Sequence, residues 1–133
     1  MSRCKSILVQ ISPGELIDKL TILEIKSQRI TDASKLANIS RELEMLRSCV
    51  SRSLEPCAEL TELTARLRSV NERLWDVEDK IRDCDRERHF GPRFIELARS
   101  VYRTNDERSE LKRRINDLAG SELVEEKSYA RYD

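Results

Sequence analysis

Apolar residues recur along most of this chain at alternating steps of three and four, which is the spacing of one face of an α-helix. The pattern is clearest over residues 56–88, where about four unbroken heptads predict a helix about 45 Å long at 1.5 Å per residue. Its seam positions are Leu60, Leu63, Leu67, Val70, Leu74, Val77, Ile81 and Cys84. Similar stripes predict helices over 34–54 and 92–119.

The first helix has a clear start signal. Ser12 supplies an N-cap hydroxyl, Pro13 suits the first helical position, and Glu15 stands three residues after the cap. Together these residues satisfy or avoid the unpaired amide groups of a new helix. They predict a helix over 13–31.

The two ends of the chain lack helical periodicity. Residues 1–12 contain the short apolar run Ile7–Ile11, which is too short for a helix and predicts an extended arm lying on the bundle. Gly120 favours termination of the last helix. The charged tail over 121–133 is predicted to be either disordered or paired with the arm.

These elements predict one helical domain over 1–133, an all-α elongated antiparallel bundle of about four helices. The third and fourth helices should form a long coiled-coil-like hairpin that reverses at Gly91-Pro92. The residue numbers of two facing positions, one on each helix, then sum to about 181. This register brings Arg73 opposite Glu107 and leaves Arg108 at a seam position. A charge at a seam needs a partner, because an unpaired buried charge costs several kcal/mol.

Polar residues on one side of this hairpin form a candidate site with the first helix. That helix is apolar nearly all round, and Glu24 falls within its apolar arc, so we expect Glu24 to point inward and meet Arg108 or Lys112. The candidate ligand-binding residues are Glu24, Trp75, Glu78, Tyr102, Asn105 and Arg108. They form either a structural network that sets helix register or a pocket for a phosphate, a nucleotide or a sugar phosphate.

Charge and composition narrow the expected partners. The 25 acidic and 25 basic residues balance, and neither half of the chain carries a block of like charge. Nucleic-acid and membrane partners are therefore not expected. The chain start lacks a signal-peptide core and no apolar run is long enough to span a bilayer, which predicts a cytoplasmic protein.

Metal and cofactor signals are equally sparse. The four cysteines form no Cys-x-x-Cys pair, and the one histidine, His89, is distant from them, so a zinc site is not expected. No cofactor is evident from the sequence, and the cofactor prediction is left as unknown. Glu78, Asp79 and Asp83 partly resemble the magnesium ligands of the all-α nucleotide pyrophosphohydrolases. This chain has Ile81 or Arg82 where that family has another glutamate, which leaves a metal-dependent hydrolase only as an alternative.

Three stretches together resemble a small bacterial family of unknown function: ISPGELIDKLTILEIK (11–26), LWDVEDKIR (74–82) and FIELARSVYRTNDERSELKRRIN (94–116). The resemblance implies a complete bacterial protein of about this length, and it implies no activity. The leading hypothesis is a non-catalytic helical interaction or assembly module, a homodimer whose interface is the long hairpin, with another protein as a further possible partner. The alternative is a protein that binds or hydrolyses a phosphorylated small molecule in the polar pocket.

Overall fold

The computed structural model describes residues 5–132, and this part of the chain contains four α-helices and no strand. They are α1 (Pro13–Arg29), α2 (Ala33–Ser53), α3 (Ala58–Arg86) and α4 (Pro92–Ala119). The predicted all-α fold is confirmed. The ends of the first three helices differ from the predicted ends by one or two residues. None of the helices is long and apolar enough to cross a membrane.

Local capping groups explain where the helices begin. The Ser12 hydroxyl accepts a hydrogen bond from the Glu15 amide at 3.2 Å, as the start signal predicted. The Asp32 carboxylate accepts one from the Lys35 amide at 2.9 Å. Cys57 caps α3, and for this reason α3 begins at Ala58 and not at the predicted residue 56.

The first helix lies at the centre of the bundle and packs against each of the other three. Its first turn contacts α4, where the Gly14 amide donates to Asn116 Oδ1 at 2.7 Å. Its second half contacts α3, where Arg68 pairs with Glu24 at 3.2 Å. Helix α1 therefore crosses the base of the hairpin from α4 to α3. A helix in that position needs apolar residues on nearly all sides, which explains its composition.

The α3–α4 hairpin forms the most extensive helix contact in the molecule. Arg73 pairs with Glu107 at 2.5 Å, which confirms the predicted register of the two helices. With 29 residues, α3 is about 43 Å long, whereas α1 has 17 residues and is about 25 Å long. The hairpin therefore extends well beyond α1.

The two terminal segments differ in how they meet the bundle. In the arm, residues 5–12 are non-helical as predicted, but Ile7, Leu8 and Val9 are 78, 97 and 72 % exposed and do not pack into the bundle. Residues 1–4 of the arm and residue 133 of the tail lie outside the described residues. The described part of the tail neither pairs with the arm nor leaves the bundle, because it lies along α4. Glu125 pairs there with Lys112 at 2.8 Å, and the rings of Tyr132 and Tyr102 are 4.9 Å apart.

Candidate functional site

The predicted pair between Glu24 and Arg108 or Lys112 is wrong. Glu24 Oε2 lies 3.2 Å from Arg68 of α3 and 3.9 Å from Arg47 of α2. The Glu24 side chain is still three-quarters buried, so its inward direction is as expected. Its partners differ because Glu24 projects toward the side of α1 that meets α2 and α3, whereas Arg108 approaches α1 from α4.

The other predicted site residues have separate partners. Trp75 lies under the Arg29 guanidinium, 5.7 Å from the ring centre. Glu78 pairs with Arg82 at 3.7 Å, the expected i,i+4 contact.

Two more of these residues are on α4. The Tyr102 ring contacts the Tyr132 ring at a tilt of 50°, and the Asn105 carbonyl accepts a hydrogen bond from the Ser109 hydroxyl at 3.0 Å. Of the six candidates, only Arg108 joins a buried network; a ligand-binding role for the set stays a prediction.

The partner of Arg108 is Asp18, which is only 1 % exposed. Arg108 donates from Nε to Asp18 Oδ1 at 2.9 Å and from Nη2 to Oδ2 at 2.5 Å, a two-pronged contact that fixes both groups. Asn71 of α3 donates to the same Oδ1 at 3.0 Å and to Thr21 Oγ1 at 2.9 Å. Thr21 in turn donates to the Asp18 carbonyl at 2.8 Å. The hydrogen bond with Asp18 raises the pKa of Arg108 above its ordinary value.

Lys112 forms a second branch of polar contacts one turn further along α4. Its ammonium group lies 2.9 Å from Glu15 and 2.8 Å from Glu125, and the residue is only 6 % exposed. Burial alone would lower the pKa of Lys112, but hydrogen bonds with Glu125 and Glu15 outweigh burial and raise that pKa. Nearby, Gly14 lies so close to α4 that an added Cβ would overlap the Lys112 carbonyl oxygen.

All of these polar groups find partners within the protein. Within residues 5–132, no buried side-chain nitrogen or oxygen lacks a hydrogen bond. In the same part of the chain, no three His, Cys, Asp or Glu side chains cluster closely enough to hold a metal ion. A fully paired network at a helix crossing holds the helices in register.

Sequence reasoning missed Asp18, although α1 carries a signal for it. Gly14, Asp18, Thr21 and Ile25 follow each other at steps of four, three and four, and all four are buried. They fall within about 60° on a helical wheel, opposite the aliphatic stripe of the same helix. A helix that is apolar nearly all round must bury the polar residues in the remaining arc as well, and that arc contains Asp18.

Comparison with known proteins identifies the family of this chain. A family model described as "Family of unknown function (DUF6165)" matches residues 7–132. The chain belongs to this family. The DUF6165 match spans all four helices, so Asp18, Arg108 and Lys112 lie within it. No curated protein and no solved structure matches the chain.

The part of this DUF6165 chain that extends beyond α1 leaves most of its seam only half-buried. Hydrogen bonds and ion pairs between α1 and the hairpin reach Asp76 on α3 and Arg108 on α4, and none lies nearer the turn in the described residues. We call the remainder, residues 77–103, the distal hairpin. Near the base of the hairpin, Leu67 and Ile115 are 0 % exposed. In the distal hairpin most seam residues are only half-buried, namely Val77, Ile81, Phe94, Leu97 and Val101, whereas Cys84 is 6 % exposed.

Charges in the distal hairpin differ between its two helices. Between residues 77 and 86, α3 carries four acidic and three basic side chains, whereas α4 carries three basic and one acidic between residues 92 and 103. The ion pairs found there lie within one helix or within the turn, such as Glu78 with Arg82, Glu96 with Arg103 and Glu87 with His89. No ion pair joins α3 to α4 in this part of the described chain.

Proposed function

We propose that this protein is a helical assembly module, and that two copies form a homodimer by packing their distal hairpins into a four-helix bundle. The observation that supports this proposal is that most seam residues of the distal hairpin are only half-buried, whereas Leu67 and Ile115 are fully buried beside α1. A two-helix hairpin covers its seam from one side only, and a second hairpin would cover the other side. We place this assembly, as part of the same proposal, in the cytoplasm of a bacterium.

Charge supports a second copy as the occupant of this surface. If α3 of one copy lies beside α4 of the other, the acidic side meets the basic side twice, once on each side of the two-fold axis. Such pairs steer association and set orientation more than they add affinity. Raising the salt concentration should therefore slow dimer formation, because exposed charges are screened.

Ile95 offers a direct test, because it lies on the distal hairpin and is 55 % exposed in the single chain. Light scattering after gel filtration should show that the wild type is at least twice the 15.5 kDa mass of one chain. Ile95→Glu introduces a buried charge into the proposed interface and should lower that mass at least by half. Its thermal melting should change little when both proteins are compared as monomers at high dilution.

Val124→Glu is the matched control, because it places the same charge on an aliphatic residue of the tail that is 64 % exposed. This variant should keep the mass of the wild type. A monomeric wild type would overturn the proposal, and so would equal masses for the two glutamate variants.

A further inference from the structure

The arm combines three features of an unpaired edge strand. Ile7, Leu8, Val9 and Ile11 are exposed aliphatic residues, three of them β-branched, in a segment without a charge between Ser6 and Ser12. Among residues 5–132, no hydrogen bond joins the backbone of residues 7–11 to another residue. Unpaired N–H and C=O groups flanked by apolar side chains form a template for another strand. Natural edge strands are usually protected by charges or prolines, and this segment has neither.

We propose that the arm pairs antiparallel with the arm of a second copy, about a two-fold axis through Val9. In that register Val9 faces its own counterpart and Ile7 faces Ile11, so all of the β-branched residues meet on one face of the ribbon. Leu8 and Gln10 face each other on the opposite side. The arm is therefore complementary to itself, as a two-fold interface requires.

Neighbouring registers are less favourable. A shift of two positions in one direction places the charged Lys5 opposite Ile11, where the proposed register places Ile7. A shift in the other direction brings Pro13 opposite Ile7, and proline has no N–H to donate to the ladder. The register centred on Val9 avoids both costs.

Helix α2 provides a surface on which such a ribbon can pack. The arm and the outer side of α2 line one groove, whose apolar wall includes Met45, 61 % exposed, and Leu46. A two-stranded ribbon is marginally stable in water and needs a hydrophobic surface beneath it. The paired arms would cover part of this groove in both copies.

This inference rests on the assembly role proposed above and extends it. The arm surface and the distal hairpin share no residue, so each can form its own two-fold interface. Two independent two-fold interfaces on one chain join dimers into a closed tetramer or an open array, depending on the angle between their axes.

A cysteine scan tests the register. In a background with the four native cysteines replaced (Cys4→Ser, Cys49→Ser, Cys57→Ser and Cys84→Ala), single cysteines are placed at positions 7 to 11 and oxidised. Residues directly opposite have Cβ atoms about 4.5–5.5 Å apart, whereas diagonal neighbours are about 7–8 Å apart. Crosslinking should therefore peak sharply for Val9→Cys, decrease for Leu8→Cys and Gln10→Cys, and be absent for Ile7→Cys.

Val124→Cys measures random collision, because it is equally accessible and lies on the tail. A crosslinking yield for Val9→Cys no greater than that for Val124→Cys would overturn the proposal. The partner of the arm would then be a strand of another protein. A profile without a maximum at position 9 would overturn it as well.

The hairpin interface is tested separately by repeating the scan with Ile95→Glu. The maximum at position 9 should persist there, because the arm does not depend on the distal hairpin. Loss of the maximum in both backgrounds rejects arm pairing, whereas an unchanged mass for Ile95→Glu rejects only the hairpin dimer. In the otherwise wild-type protein, Val9→Pro should lower the mass of the assembly measured by light scattering without changing the helix content.

Discussion

The contact between Asp18 and Arg108 predicts that replacing Arg108 and replacing Asp18 lower the stability of the protein by different amounts. Arg108→Met leaves a carboxylate that is 1 % exposed with one amide donor from Asn71. Breaking a buried ion pair in this way costs about 3–5 kcal/mol. Asp18→Asn instead leaves the Arg108 side chain, which is 29 % exposed and can turn toward water, so we expect about 1–2 kcal/mol.

Urea denaturation followed by far-ultraviolet circular dichroism measures both effects. Glu24→Gln is the control, because it neutralises an inward-pointing carboxylate of the same helix whose partner Arg68 remains partly exposed. That change should cost less than about 1 kcal/mol. The reasoning is refuted if Asp18→Asn is as destabilising as Arg108→Met.

Two further predictions concern the first turn of α1 and its neighbour on α4. Gly14→Ala would press a methyl group against the Lys112 carbonyl oxygen and, at 2.9 Å, against Asn116 Oδ1, so it should lower the unfolding free energy in urea by about 1–3 kcal/mol. Gly91→Ala is the control and should cost far less, because nothing lies within 4 Å of the added carbon. Equal losses for the two variants would contradict the close approach of Gly14 to α4. The pKa of Lys112 is raised above its ordinary 10.5, so its contribution to stability is complete below about pH 10.5 and is lost as the pH rises through the higher folded value. Stability of the wild type should thus fall more steeply in this alkaline range than that of Lys112→Met, and parallel curves would exclude this contribution.

Local and periodic features of the fold could be predicted from the sequence. The Ser12 cap depends on residues three positions apart, and the heptad seams follow from one helical repeat. The pair between Arg73 and Glu107 also follows, because a short turn at Gly91 fixes how two antiparallel helices align. Each of these features depends on sequence distance or on a single turn, which the chain itself specifies.

The crossing of α1 over the hairpin could not be predicted in the same way. Whether Glu24 or Asp18 meets Arg108 depends on the angle at which α1 crosses α4, and helical periodicity contains no information about that angle. The angle depends on how closely two backbones approach, and Gly14 permits a contact that any side chain would prevent. The helical-wheel position of Asp18 indicates a buried residue only when the remaining sides of α1 are known to be covered by other helices.

The buried network lies between the two surfaces for which we propose self-association. Asp18 binds Asn71 of α3 and Arg108 of α4 at once, and α1 begins directly after the arm. Aliphatic contacts between helices tolerate small sliding movements, whereas a two-pronged ion pair has one geometry. Since buried ion pairs add little net stability compared with apolar packing, the value of this one lies in orientation. The assembly that we propose, with two interfaces per chain, would need a fixed angle between them. A network that locks α1 onto both helices of the hairpin would supply that constraint.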